Sequence, residues 1–154
     1  MKVLAIDPGT EKSGFVLFDG NRMHEKGWID NEEIMGLFSY LDADKVAIEM
    51  VASYGMPVGK STFETVLWIG RMVQECYHHD LEAELIYRKD IKMFLCNSMK
   101  AKDSNIRQAL VDVYGTTGRK KSPNPAYDDG KVKMNGHMWS SLAIAHYVLN
   151  RPLA

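Results

Sequence analysis

Two spacings of apolar residues organise this 154-residue chain. Residues 3–6 and 14–18 are short apolar runs separated by a Pro8-Gly9 turn, the pattern of a β-hairpin. Residues 23–29, with Trp28 and Ile29, read as a third strand. Ile34, Leu37, Phe38 and Leu41 then recur at helical spacing. A fourth strand at 45–50 leads into a turn-rich segment, 53–60. The longest helix is expected over 62–78, with Phe63, Val66, Leu67, Gly70, Val73 and Tyr77 as its buried stripe. Residues 84–87 form a short strand. Ile106, Ala109, Leu110, Val113 and Tyr114 mark one face of a further helix, with Asp103 or Ser104 placed to cap it. Residues 138–149 are apolar almost all round, which implies a buried helix. The order β-β-β-α-β-α-β-α-α predicts one mixed-sheet α/β domain spanning 1–154, without internal repeat or linker.

Composition narrows the class without naming a function. A hydrophobic fraction of 45% and a charged fraction of 25% are those of a soluble globular domain with one core. No apolar stretch reaches the length of a membrane span, and the first residues lack a signal-peptide core, so a reducing cytoplasm is the expected compartment. Cys76 and Cys96 are too far apart for a zinc knuckle and read as core residues. The net charge of −1 conceals an asymmetry. Residues 1–87 hold 7 Lys and Arg against 15 Asp and Glu, whereas residues 88–133 hold 11 against 5. A basic second half points to an anionic partner held on one face.

Two strands end in acids. The run 3–6 stops at Asp7, and Val46-Ala47-Ile48 leads directly into Glu49. A carboxylate at the rim of a buried strand is costly without a partner, and two together suggest an oxygen-ligand site for Mg²⁺. His137 falls in the first turn of the last helix, where it can serve as a third ligand or as a proton acceptor near neutral pH. Two ions about 3.5–4 Å apart would activate water and stabilise the leaving oxygen of a phosphodiester.

Other catalytic and phosphate-binding patterns are missing. No serine sits in a nucleophile elbow. The segment Gly55-Met56-Pro57-Val58-Gly59-Lys60-Ser61 lacks the Gly spacing of a Walker loop, and Pro57 removes a donor such a loop would use. Lys100, Lys102 and Arg107 surround a helix N-terminus that itself favours phosphate. Lys60 follows Glu49 in the turn, and Arg119, Lys120 and Lys121 lie in the long Gly-, Lys- and Pro-rich loop over 115–136. Tyr54, Met56 and Phe63 are candidates to stack on bases; for Phe63 the helix stripe favours a core position, and Tyr54 is the more open to a DNA role.

Four motifs in order carry a family resemblance over nearly the whole chain. They are Ala5-Ile6-Asp7-Pro8-Gly9-Thr10; Ile48-Glu49-Met50 with Ala52 to Lys60; Ala101-Lys102-Asp103-Ser104-Asn105-Ile106-Arg107; and Gly136-His137-Met138-Trp139 leading into Leu142-Ala143-Ile144-Ala145. Together they resemble the RuvC-like Holliday-junction resolvases, in particular the short forms of phages and prophages. The resemblance implies a ribonuclease H-like fold, a homodimer, and Mg²⁺-dependent cleavage of branched DNA, with Mn²⁺ able to substitute and two ions per site. It implies products with 5′-phosphate and 3′-hydroxyl ends, and Asp7, Glu49 and His137 as catalytic and metal-binding residues. The family usually carries another Asp three residues after the position of His137, where this chain has Ser140. Three alternatives follow: three ligands suffice, Asp128 or Asp129 completes the set from the loop, or the metal is held more weakly.

Two other readings follow from the same residues. Loss of the acid at Ser140 would leave a junction-binding protein without catalysis. The Asp7-Pro8-Gly9-Thr10 turn also resembles the first phosphate loop of sugar kinases and actin-like ATPases, but those close two such domains on a nucleotide and this chain supplies one. The dimer surface is expected on the helix over 62–78, through exposed Trp68 and Met72.

Overall fold

The computed structural model describes residues 1–117, 122–123 and 133–152. Strands β1 (Val3–Asp7), β2 (Lys12–Phe18) and β3 (Met23–Asp30) form an antiparallel meander. Helix α1 (Asn31–Tyr40) returns the chain to β4 (Lys45–Met50), which runs parallel to β1, and α2 (Lys60–His78) crosses over to parallel β5 (Ala83–Tyr87). Helices α3 (Arg88–Cys96) and α4 (Asp103–Tyr114) follow. A two-residue ladder pairs β6 (Thr116–Thr117) with β7 (Ser122–Pro123), and α5 (Gly136–Asn150) is the last element. The main sheet has the order β3-β2-β1-β4-β5.

Strand β1 is central, and Val3, Leu4, Ala5 and Ile6 are all fully buried, because helices cover both faces of the sheet. Strand alternation divides the core in two. Val3, Ala5, Val16, Ala47 and Ile86 face α5 together with Ile91 of α3 and Ile106 and Leu110 of α4. Leu4, Ile6, Leu17, Val46 and Ile48 face α1 and α2. Helix α5 packs on β1 and β2 and is overlaid by α3 and α4, which explains why its apolar residues run round the whole helix.

The mixed-sheet expectation holds, and four details differ. In α2 the buried residues are Thr65, Ile69, Met72 and Cys76, whereas Phe63, Leu67 and Tyr77 from the expected stripe are more than 60% exposed. Both sets have helical spacing; the face carrying Ile69, Met72 and Cys76 packs on β4, β5 and α1, and the other faces outward. Met72 is therefore not an exposed residue, and Trp68 is partly covered by Arg71, whose guanidinium lies 4.1 Å from the ring centroid. Helix α3 has no counterpart among the expected elements, although Ile91, Phe94 and Leu95 supply its spacing. Lys102 rather than Asp103 or Ser104 holds the N-cap position of α4; Asn105 reaches back to accept a hydrogen bond from the Lys102 N–H at 2.8 Å.

A small polar network fixes the turn after β1. Ser13, fully buried, donates to Asn31 Oδ1 at 2.5 Å and accepts from the Gly9 N–H at 3.2 Å. Asn31 in turn donates to the Gly9 carbonyl at 2.9 Å. Two buried side chains thus satisfy one another and clamp the loop that sets Asp7.

Gly14 lets α5 approach the sheet. A Cβ there would sit 2.8 Å from the backbone and Cβ of His137. Gly14→Ala is expected to destabilise the protein by about 2 kcal/mol, since backbone must shift to admit the methyl group. Thermal unfolding of the variant against wild type measures this, and an unchanged melting temperature would contradict the close approach.

Candidate active site

One row of residues across the sheet positions the site. Asp7 pairs with Gly14 across β1 and β2, and Gly14 pairs with Trp28 across β2 and β3. On the other side Ile6 pairs with Ile48, so Glu49 follows beside Asp7, and Glu49 itself pairs with Ile86. Residues in one row point to the same face, here the α5 face. The row therefore places an indole, a gap and two carboxylates beneath the first turn of α5. His137 sits over the gap at Gly14. Its Nδ1 is 3.0 Å from Asp7 Oδ2, and its ring stacks parallel to Trp28 at 2° with centroids 5.5 Å apart.

Asp7 and Glu49 form the floor of a cavity of about 670 Å³. Asp103, Ser104, Ile106 and Arg107 from the first turns of α4 line it, as do Arg88 and, from α5, Gly136, His137, Trp139 and Ser140. Arg88 Nη1 lies 3.1 Å from Glu49 Oε1, and Nη2 bonds to Asp103 Oδ1. This single guanidinium links the end of β4 to the start of α4.

The two acids have strongly altered proton affinities. Burial raises Asp7 to about 6, against the lowering effects of its hydrogen bond with Glu49 and the charge of Arg88; Asp103 adds to the rise. Burial also raises Glu49 to about 7, helped by the charge of Asp7 and opposed by Arg88. The two carboxyls are close enough to hydrogen-bond one another. Like-charged groups held this close favour sharing a proton unless a cation replaces it.

Two solved structures show this architecture. The RuvC protein of T. thermophilus in complex with a Holliday junction substrate matches with a TM-score of 0.70 and 14% identity, over 94% of this chain and 90% of that one. A second Thermus thermophilus RuvC structure matches with a TM-score of 0.70 and 15% identity, over 97% and 96%. The fold is that of RuvC. No family model and no curated protein sequence matches the chain. The RuvC fold is the ribonuclease H-like sheet expected from the motifs.

Within this RuvC fold the expected site residues are distributed unevenly. Asp7, Glu49 and His137 meet in one cavity, and Ser140 lines it one turn further along α5. Arg107 lines the same cavity, with its guanidinium 4.8 Å from the Trp139 ring centroid. Lys60, Lys100, Lys102 and Tyr54 do not line it. Lys60 opens α2, 3.5 Å from Glu64, and Tyr54 is exposed in a turn with φ of 49°. Arg119, Lys120, Lys121, Asp128 and Asp129 lie outside the described residues. Sequence reading missed Arg88, Asp103 as its partner, and Trp28. Recognition of α3 would have placed Arg88 at a helix start directly after a strand parallel to β4.

Asp7 and Glu49 suit a hard divalent cation, since Mg²⁺ is commonly held by one or two carboxylates with water and substrate phosphate completing its shell. Among the described residues, no group of three His, Cys, Asp or Glu side chains is arranged to hold a metal ion. His137 directs Nδ1 to Asp7 Oδ2, which places the imidazole beside the carboxylate pair.

The raised acids give a testable pH dependence. Below about pH 3 both are protonated, folded or unfolded, and cost nothing. As pH rises toward 7 the unfolded chain releases their protons first, so their contribution to stability falls. In metal-free buffer Asp7→Asn should therefore match wild type near pH 3 and exceed it at pH 8 by about 2 kcal/mol, the order set by 1.4 kcal/mol per pKa unit. Chemical unfolding of both proteins at the two pH values measures it; a variant no more stable at pH 8 would contradict the crowded acid pair.

Proposed function

We propose that this protein is a divalent-metal-dependent endonuclease that cuts branched DNA, four-way junctions above all, as a homodimer. The observation that carries this reading is the buried Asp7–Glu49 pair on the floor of a cavity walled by Arg88, Arg107 and the first turn of α4. Anionic floor and cationic wall face each other across a space fit for a phosphodiester. Support also comes from the shared fold, since a T. thermophilus RuvC is known with a Holliday junction substrate.

Each residue has a distinct task in this proposal. Asp7 and Glu49 would hold Mg²⁺ or Mn²⁺, which when bound would supply Lewis-acid stabilisation of charge on the phosphate oxygens and lower the pKa of water. His137, anchored to Asp7, takes the proton of the attacking water. The water oxygen bonds to phosphorus, the bond from phosphorus to the 3′-oxygen breaks, and that oxygen takes a proton from solvent to leave as the 3′-hydroxyl. The 5′-phosphate stays on the other fragment. Arg107 and the free N–H groups of α4 meet the non-bridging oxygens, and Lys100 and Lys102 extend this wall toward the flanking backbone. Arg88 neutralises Glu49 enough to let it ionise while tying it to α4 through Asp103. Ser140 offers a hydroxyl where the resemblance places an acid, so Asp7 and Glu49 are the carboxylates that would hold the metal. Lys60, Tyr54, Arg119, Lys120 and Lys121 are proposed as outlying DNA contacts.

The dimer reading rests on α2. Phe63, Leu67 and Tyr77 are 64%, 68% and 76% exposed on a single helix, with Met56 and Val58 in the preceding turn. Such an apolar face marks an association surface, and a twofold dimer would present two sites to symmetry-related strands of a junction.

Cleavage of a labelled four-way junction against matched linear duplex, with Mg²⁺ or Mn²⁺, tests the activity. Wild type should cut the junction selectively, and Asp7→Asn should lose at least about a thousandfold in rate while binding it unchanged. Tight junction binding without cutting in either metal would identify a binding protein instead. For the assembly, the double substitution Phe63→Asp with Leu67→Asp should yield a folded monomer by sedimentation; a persistent dimer would place the interface elsewhere.

A further inference from the structure

We infer that Trp28 is a positioning residue that holds the His137 imidazole in register with Asp7, an assignment that rests on the nuclease reading only for its kinetic consequence. The row Asp7–Gly14–Trp28 puts the indole on the same sheet face as the acid, with no side chain between them. His137 enters that gap from α5, touching Asp7 at one side and Trp28 at the other.

The imidazole needs such a support. Its side chain is 55% exposed, and among the described residues the ring is hydrogen-bonded to Asp7 alone. A single hydrogen bond at Nδ1 leaves the ring plane free to swing about that contact. The indole face, within 2° of parallel, removes this freedom, because rotation of the imidazole would break the stack. Trp28 is itself fixed from β2: Lys12 Nζ lies 4.0 Å from the indole centroid, a cation–π contact. Lys12, Trp28, His137 and Asp7 form one contiguous chain from the sheet edge to the acid.

A purely structural indole would have no reason to match the plane of a half-exposed histidine. Trp28 is 42% exposed on an edge strand and belongs to neither buried core cluster. Its burial contributes to the site instead of the core. The same exposure offers a second explanation, a stacking surface for a DNA base, and the experiment separates the two.

Two variants, Trp28→Leu and Trp28→Phe, are compared in wild-type and His137→Ala backgrounds. In metal-free protein, the His137 ring resonances should lie upfield through the indole ring current, return toward ordinary values in Trp28→Leu, and stay displaced in Trp28→Phe. In single-turnover cleavage of the four-way junction, Trp28→Leu should slow the step about 10-fold, the order expected for a misplaced catalytic group, with junction affinity unchanged within about twofold. Trp28→Phe should recover most of the rate. In the His137→Ala background Trp28→Leu should cost less than about twofold, since the two residues act as one unit.

Weakened junction binding with an unchanged single-turnover rate would overturn the assignment in favour of base stacking. An equal loss of rate with and without His137, or His137 resonances indifferent to Trp28, would also overturn it. If wild type does not cut the junction, the nuclease reading fails, while the ring-current comparison still decides whether Trp28 holds the imidazole.

Discussion

Two carboxylates held side by side, mostly buried, at the ends of adjacent parallel strands are the constraint on which the rest of this structure depends. Asp7 and Glu49 are placed there by backbone pairing, with 14% and 16% of their side chains left exposed to the cavity. With proton affinities of about 6 and 7, they do not both ionise freely near neutral pH. Stability would be higher with amides at these positions, and the cost of keeping acids has to be offset by something positive. Arg88 supplies part of it, and it comes from a helix that starts directly after the neighbouring strand. Under the proposed function the remainder would come from a bound cation, whose charge would favour the ionised pair.

Around that pair the surrounding elements fall into a sequence of dependencies. Gly14 has to be glycine so that α5 can bring His137 against the sheet. The Gly9 turn has to be clamped by Ser13 and Asn31 so that Asp7 ends its strand in one place. Asp103, the first residue of α4, turns toward Arg88, while Asn105 closes back on the Lys102 N–H. Each of these polar groups forgoes a more ordinary local role in favour of a contact with the site.

What was legible in the sequence follows from how local each signal is. The strands carrying Asp7 and Glu49 were readable because short apolar runs ending in an acid are local patterns, and the mixed α/β order followed from them. The choice of face on α2 was not, since Phe63, Leu67 and Tyr77 show helical spacing as well as Ile69, Met72 and Cys76 do. Periodicity reports that a face exists; it does not report whether a strand pair or a second protein covers it. Helix α3 escaped because nine residues with a single fully buried position, Ile91, give little pattern. Trp28 looked like an ordinary strand aromatic, because its relation to His137 exists only through the pairing of three strands. The site triad was reachable through motif order, whereas Arg88, Asp103 and Trp28 required the register.

The sheet direction explains why chemistry gathers at this edge. Strands β1, β4 and β5 run parallel, so their carboxyl ends open on the same side, and the helices that follow or cross them present their N-termini there. Ligands in open α/β sheets occupy such crevices for that reason. The acids belong to the sheet and are fixed to within the precision of strand pairing. The cations that face them belong to α3 and α4, elements tied to the sheet by side-chain packing and by Arg88. Under the proposed function, a branched DNA would be met by an acidic floor fixed by strand pairing and a cationic wall carried on two helices.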